Sequence, residues 1–215
     1  MPNDLQNPDK PIVFRHMPIN RKFSDNIEID YMVNKYGHKL ITLSTANTYS
    51  YEKVSMSLRD YINLQQKPNK NTLGNETLYW FGGHHNDKWL NQILKHYNSI
   101  PYTVGDFTKP SYSFGIAAQN TGVPFHFHGP GFQQIIQGRK HWILSKPLEK
   151  PNFNPNETTG EWIVKERQQK QRNKNTIKYY ECILNPGDII YFPNRWWHAT
   201  WNLDFTVFIS TFLSQ

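Results

Sequence analysis

From Ser111 onward the apolar residues come in short runs separated by turn signals, at 112–117, 123–128, 132–137, 141–144, 179–184, 189–192, 196–201 and 206–212. Runs of this length and spacing predict strands, and closely spaced strands predict a barrel or jelly roll. Between two of them stands Asn185-Pro186-Gly187-Asp188. Proline then glycine at the central positions suits a type II turn, because glycine enters positive φ at little cost. The earlier part of the chain has a mixed texture. Strands are predicted at 11–14, 40–43 and 77–81. Ser24 is placed to cap a helix through Ile27, Tyr31 and Tyr36, with Gly37 as its stop. Val54, Leu58, Tyr61 and Ile62 recur at helical spacing, as do Leu90, Ile93, Leu94 and Tyr97, with Asn86 or Asp87 as cap for the latter group. The longest irregular excursion, 147–177, reads as an insertion with one helix. No repeat and no long linker divides the chain. The expectation is one domain over 1–215, mixed α/β over 1–110 and a β core over 111–215, hence mainly β with peripheral helices.

Composition agrees with a β-rich core. Aromatic residues make up 15% of the chain and pack well on pleated surfaces. The net charge of +7 invites a nucleic-acid reading. However, 165–178 holds six basic residues and one acidic, so this one stretch accounts for most of the excess. It carries no aromatic residue to stack on bases and reads as a solvated loop, so no nucleic-acid partner is expected. Cys182 is the only cysteine, which excludes an intrachain disulfide and a cysteine-built zinc site. It reads as an inert residue of a hydrophobic strand. No apolar run reaches the length of a membrane span. The first ten residues are polar and rich in Pro and Asn, and do not read as a secretory leader in the chain as it stands.

The chemistry centres on His126-Phe127-His128. Alternate residues of a strand share a face, so both histidines are expected on one side and Phe127 on the other. Two imidazoles so placed chelate one ion if a third ligand arrives from elsewhere. His198, in a strand after the Pro-Gly turn, is the candidate. Spacing alone leaves open a pair of hydrogen-bonded structural histidines. His84 and His85 follow two glycines and read as loop residues, and His141 is expected to face away from the pocket.

Pro124-Phe125-His126-Phe127-His128, Gly138-Arg139-Lys140, Pro186-Gly187-Asp188 and Trp196-Trp197-His198 occur in this order and resemble the signature of the JmjC family of cupins. The resemblance extends to 43–51, 73–79 and 200–213, and so covers nearly the whole chain. It implies a double-stranded β-helix. The wider family uses Fe(II), 2-oxoglutarate and oxygen to hydroxylate or demethylate its substrates. By resemblance His126 would be the first metal ligand and His198 the distal one. Lys140 would pair with the far carboxylate of 2-oxoglutarate, and Asn202 would stand beside the iron site. This sequence departs from the pattern at three places. His128 occupies the position of a carboxylate ligand, which removes a negative charge from the site. Val123 replaces a threonine that often bonds the cosubstrate, with Thr121 as a possible stand-in. The stretch from His128 to Gly138 is one residue shorter than in hydroxylase relatives, so Phe132 receives no role.

The relatives that the chain most resembles imply residence in the endoplasmic reticulum lumen. The sequons at Asn75 and Asn156 are compatible with that compartment, although chance supplies as many in an Asn-rich chain. Two function classes follow. One is an Fe(II)/2-oxoglutarate-dependent protein hydroxylase on a variant three-histidine site. The other is a silent cupin that acts on protein partners through its surface. A histone demethylase ranks third, since the chain carries no chromatin-reading module.

Overall fold

The computed structural model describes residues 4–5, 8–19, 21–47, 52–67, 73–83, 87–98, 102–105, 109–170 and 177–214. His84, His85 and the cap candidate Asn86 lie outside them, as does 171–176 of the basic stretch. In chain order the elements are β1 (Asp4–Leu5), β2 (Ile12–Phe14), α1 (Arg21–Asn26), α2 (Ile29–Tyr36), β3 (Leu40–Thr45), β4 (Lys53–Ser57), α3 (Leu58–Gln65) and β5 (Leu78–Gly83). After a short 3-10 turn come α4 (Asn91–Leu94), β6 (Thr103–Val104), β7 (Lys109–Ala117), β8 (Gly122–His126), β9 (Gly131–Gln137), β10 (Lys140–Ser145) and α5 (Thr159–Lys170). The chain then closes with β11 (Tyr180–Leu184), β12 (Ile189–Phe192), β13 (Trp197–Asn202) and β14 (Thr206–Ser214).

Two antiparallel sheets carry the fold. The larger has the order β2-β12-β9-β14-β7-β5-β3-β4 and the smaller β11-β10-β13-β8. Their facing surfaces enclose Ile135, Trp142, Leu144, Ile190, Phe192 and Phe208, the alternation of inward apolar positions that a jelly roll requires. The helices α1 to α4 pack on the other face of the larger sheet around Phe23, Met32, Tyr61, Trp80 and Phe114. Tyr61, fully buried there, donates its hydroxyl to the Ile116 carbonyl at 2.6 Å and accepts from the Trp80 amide at 2.9 Å, tying α3 to β5 and β7. On the outer face of the smaller sheet, α5 lies over β8 and covers Phe125, Ile143 and Ala199 with Trp162 and Ile163. Thr159 donates to the Val123 carbonyl at 3.1 Å, so the insertion helix closes an otherwise open sheet edge.

The turn before β12 forms as expected, with Gly187 at φ +86°. Asp188 is buried there and accepts from the Asn185 amide at 2.9 Å, the His16 amide at 3.1 Å and the Arg15 guanidinium at 2.5 Å. Burial alone would raise its pKa, but these bonds together bring it below the ordinary carboxylate value.

Several local expectations need correction. Val54 belongs to β4, paired with Leu43, and the helix begins only at Leu58. The helical spacing of Val54 was fortuitous. Ser57 caps instead, accepting from the Asp60 amide at 3.1 Å. The helix expected from Ser24 is two helices, and Ser24 lies inside the first of them. Asp87 makes no cap bond, because its carboxylate turns to Trp80 Nε1 at 3.4 Å. The helix expected to reach Tyr97 ends at Leu94. The start of the basic stretch, 165–170, is the end of α5 and not loop.

Candidate metal centre

Alternation on three strands builds the site. On β13, His198, Thr200 and Asn202 face the space between the sheets, while Ala199 and Trp201 face α5. On β10, Lys140 and Trp142 face the same space. His141 points away to Glu181, 3.0 Å from its Nε2. On β8 the register against β13 shifts between His198↔His126 and Thr200↔Val123, which marks a bulge at Pro124-Phe125. Proline has no N–H for the ladder, so a bulge is where a strand tolerates it. The bulge turns His126 inward and leaves Phe125 buried outward. His128 lies two residues beyond the end of β8. Its carbonyl accepts from the Arg195 amide at 3.0 Å, which anchors the loop to the turn before β13. Phe127 stands between the histidines on the other side, 45% exposed and edge-on to Trp197 at 4.7 Å.

The three histidines converge. Their candidate ligand atoms all lie within 4.8 Å of one another, and the Nε2 atoms of His128 and His198 are 3.2 Å apart. Each ring binds a backbone carbonyl through Nδ1. His126 reaches Pro124 at 2.8 Å, His128 reaches Gly129 at 2.8 Å and His198 reaches Trp196 at 2.9 Å. A carbonyl only accepts, so Nδ1 carries the proton in all three rings and each Nε2 keeps its lone pair. That is the tautomer a metal ligand needs, fixed by outer partners. Burial lowers the pKa of His126 to about 4, helped by the nearness of His128. Burial lowers those of His128 and His198 as well. All three rings are therefore neutral donors at physiological pH. Metal–imidazole bonds of about 2.1 Å at near-octahedral or tetrahedral angles put donor nitrogens about 3.0–3.4 Å apart, which the His128–His198 separation matches. The donor set fits a divalent transition metal.

The triad opens into a cavity of about 170 Å³ whose other end holds Lys140. Lys140 is buried, its ammonium lying 3.0 Å over the centre of the Phe208 ring. Among the described residues no carboxylate pairs with it, and burial pushes its pKa well down. Lys140 is the cross-strand partner of Asn202. Asn202 thus stands at the lysine end, four positions along β13 from His198. Its amide donates to Thr121 Oγ1 at 3.0 Å and its oxygen accepts from Thr206 Oγ1 at 2.7 Å. Thr121 in turn donates to the Ala118 carbonyl at 2.7 Å. Thr121 and Asn202 line the cavity, yet their polar atoms are engaged with each other.

Two further residues point into the same cavity with unsatisfied buried atoms, Gln133 Oε1 and Trp142 Nε1. Trp142 also stacks on His198, with ring centres 5.4 Å apart. Sequence reasoning passed over both. The signals were parity for Trp142, two positions past Lys140, and a polar residue within a continuously buried strand for Gln133. The sequons meet elsewhere. The Asn75 amide donates to Asn156 Oδ1 at 3.0 Å, with Asn75 exposed and Asn156 half-buried.

The cupin-like domain family matches residues 2–214. The chain belongs to the cupin-like JmjC family. It is 42% identical over 205 residues to JmjC domain-containing protein 8 of mouse, covering 95% of this chain and 74% of that protein. A lysine-specific demethylase of Arabidopsis is 26% identical over 229 residues, 94% of this chain but 23% of the relative. A mouse 2-oxoglutarate and iron-dependent oxygenase is 23% identical over 207 residues, 85% and 48% of the two chains. JmjC relatives of this chain therefore include an oxygenase that depends on iron and 2-oxoglutarate, and in this chain the fold places a histidine cluster between two sheets. No helix among the described residues is long and apolar enough to cross a membrane.

Proposed function

We propose that this JmjC protein binds Fe(II) through His126, His128 and His198, holds 2-oxoglutarate on Lys140, and hydroxylates a protein side chain in the lumen of the endoplasmic reticulum. One observation carries the reading. Three imidazoles with their Nε2 lone pairs turned to one point share a cavity with a buried lysine that pairs with no carboxylate among the described residues. When bound, iron supplies the activation of oxygen that, with decarboxylation of 2-oxoglutarate to succinate, oxidises a C–H bond. The chain's own residues do the rest. The carbonyls of Pro124, Gly129 and Trp196 hold the three rings in the ligating tautomer. Lys140 meets a carboxylate at the closed end, where the low dielectric strengthens the pair. Trp142 Nε1 and Gln133 Oε1 offer a donor and an acceptor between the two ends. Phe192 and Phe212 flank His128 at 5.2 and 5.1 Å and keep bulk water from the triad. The lumenal address follows from the family resemblance read in the sequence, and the exposure of Asn75 leaves its sequon open to modification. A mass shift of the lumenal protein on glycosidase treatment, absent in Asn75→Gln with Asn156→Gln, checks it.

A second reading has its own support. His128 replaces the carboxylate ligand, and Thr121 and Asn202 are occupied with each other. Both suit a cupin that acts on partner proteins through its surface. Calorimetry under argon separates the two. Metal-free protein is titrated with Fe(II) or Mn(II) and then with 2-oxoglutarate. Metal-dependent 2-oxoglutarate binding, lost in His198→Ala and in Lys140→Ala, is expected for the oxygenase. Metal binding without 2-oxoglutarate binding leaves the surface-acting cupin.

A further inference from the structure

We propose that the group presented to the metal is an uncharged side chain, and that the site rejects the ammonium and guanidinium groups of lysine and arginine. This rests on the metal-site reading above and narrows its substrate class. Among the described residues no Asp or Glu lines the cavity, and its charged or metal-binding groups are the three neutral imidazoles and Lys140. A divalent ion held by two histidines and a carboxylate carries one net positive charge within its protein ligands, whereas here it carries two. A cation approaching the metal meets about twice the repulsion it would meet in the carboxylate-bearing site, with no neighbouring acid to offset it.

The walls point the same way. Phe212 lies against His128 at 5.1 Å, with Phe81 edge-on to Phe212 at 6.0 Å. Such rings desolvate an incoming group. Their faces also attract cations, but weakly beside a full charge at similar range. The pocket already disfavours the one cation it owns, since burial drives the Lys140 pKa well down. Two basic residues adjoin the triad loop, while Asp9 and Glu149 line a separate surface pocket with Pro130 and Trp196. Arg195 is hydrogen-bonded through its amide to the His128 carbonyl, and the Lys150 ammonium lies 5.9 Å from the Trp197 ring that packs on Phe127. A lysine-specific demethylase acts on a cationic side chain. This site, on the same fold, lacks the negative charge to receive one.

The test uses Mn(II)-loaded protein and two probes of nearly equal shape, choline and 3,3-dimethylbutan-1-ol. Mn(II) shortens the proton relaxation of a probe that comes near it, so the methyl signals report access without turnover. Electron paramagnetic resonance first establishes that Mn(II) is bound and is released in His198→Ala. Expected is a relaxation enhancement at least about tenfold larger for the neutral probe than for choline. In His128→Asp, which restores the carboxylate, that ratio falls severalfold. Equal or greater enhancement for choline in the unaltered protein overturns the proposal, whether or not the variant folds. Failure to bind Mn(II) overturns the metal-site reading, and the proposal falls with it. Bound Mn(II) with choline preferred overturns the proposal alone.

Discussion

At the triad end of the pocket each ring gives one nitrogen to the backbone and keeps the other free, whereas at the lysine end the hydroxyls and the amide satisfy one another and a single ammonium is left over. The triad end is poised for a ligand because its remaining lone pairs have only one another to face. The lysine end is mostly framework. Thr121, Asn202 and Thr206 join β13 to the residues before β8 and after β13, and Lys140 has no carboxylate partner among the described residues. Unmet polar capacity, rather than polarity as such, separates ligand-binding groups from those that hold the walls.

Replacing Lys140 probes the contrast most sharply. A lone buried ammonium is costly to the fold, and an apolar side chain of similar length relieves that cost. Lys140→Met is expected to raise stability by about 1–4 kcal/mol, several degrees in Tm, while 2-oxoglutarate binding is lost. Thermal unfolding and calorimetry on the same preparation read both. An unchanged or lower Tm would mean that the lysine has a partner in solution.

Acid should act chiefly on the triad end. The folded-state pKa of His126 is held at about 4, below the ordinary histidine value. For a depressed histidine the unfolded chain binds the proton first, so stability falls as pH drops from about 6.5 towards 4 and is level above that window. Metal-free protein is expected to lose about 1–3 kcal/mol across it through this ring. Urea unfolding at pH 7.0 and 5.0 measures the loss, and His126→Asn should reduce it, leaving the share of His128 and His198.

Asn202→Ala should produce the smallest change and only in the framework. It leaves the Thr121 and Thr206 hydroxyls each short of a partner, at about 1–2 kcal/mol in total. Metal affinity should stay within about twofold, since four strand positions separate Asn202 from His198. A large loss of metal binding in a folded variant would show that the two ends are coupled.

The legibility of this protein was uneven for physical reasons. The strand set from Ser111 onward was readable because a sheet buried on both faces demands apolar runs, and Gly187 marked a turn that needs positive φ. His126 and His198 were readable as partners through their place in strands. His128 was less so, since it sits beyond β8 and its loop is held by the Arg195 amide, 3.0 Å from the His128 carbonyl and far away in the chain.

 Val54 was misread because helical spacing over a few residues arises by chance, and its pairing with Leu43 outweighs local propensity.

The sequence by itself determined the alternating strands, the family to which they belong and the residue types available at the site. Side-chain parity and turn chemistry are local properties, and local properties survive in a linear pattern. Only the tertiary structure decided which of those residues keep free bonding capacity. It tied three Nδ1 atoms to carbonyls, closed Thr121 and Asn202 on each other, and left Lys140, Gln133 and Trp142 turned into the cavity with unmet groups. Hydrogen-bond satisfaction is a property of what lies alongside, and strands distant in the chain supply most of it here.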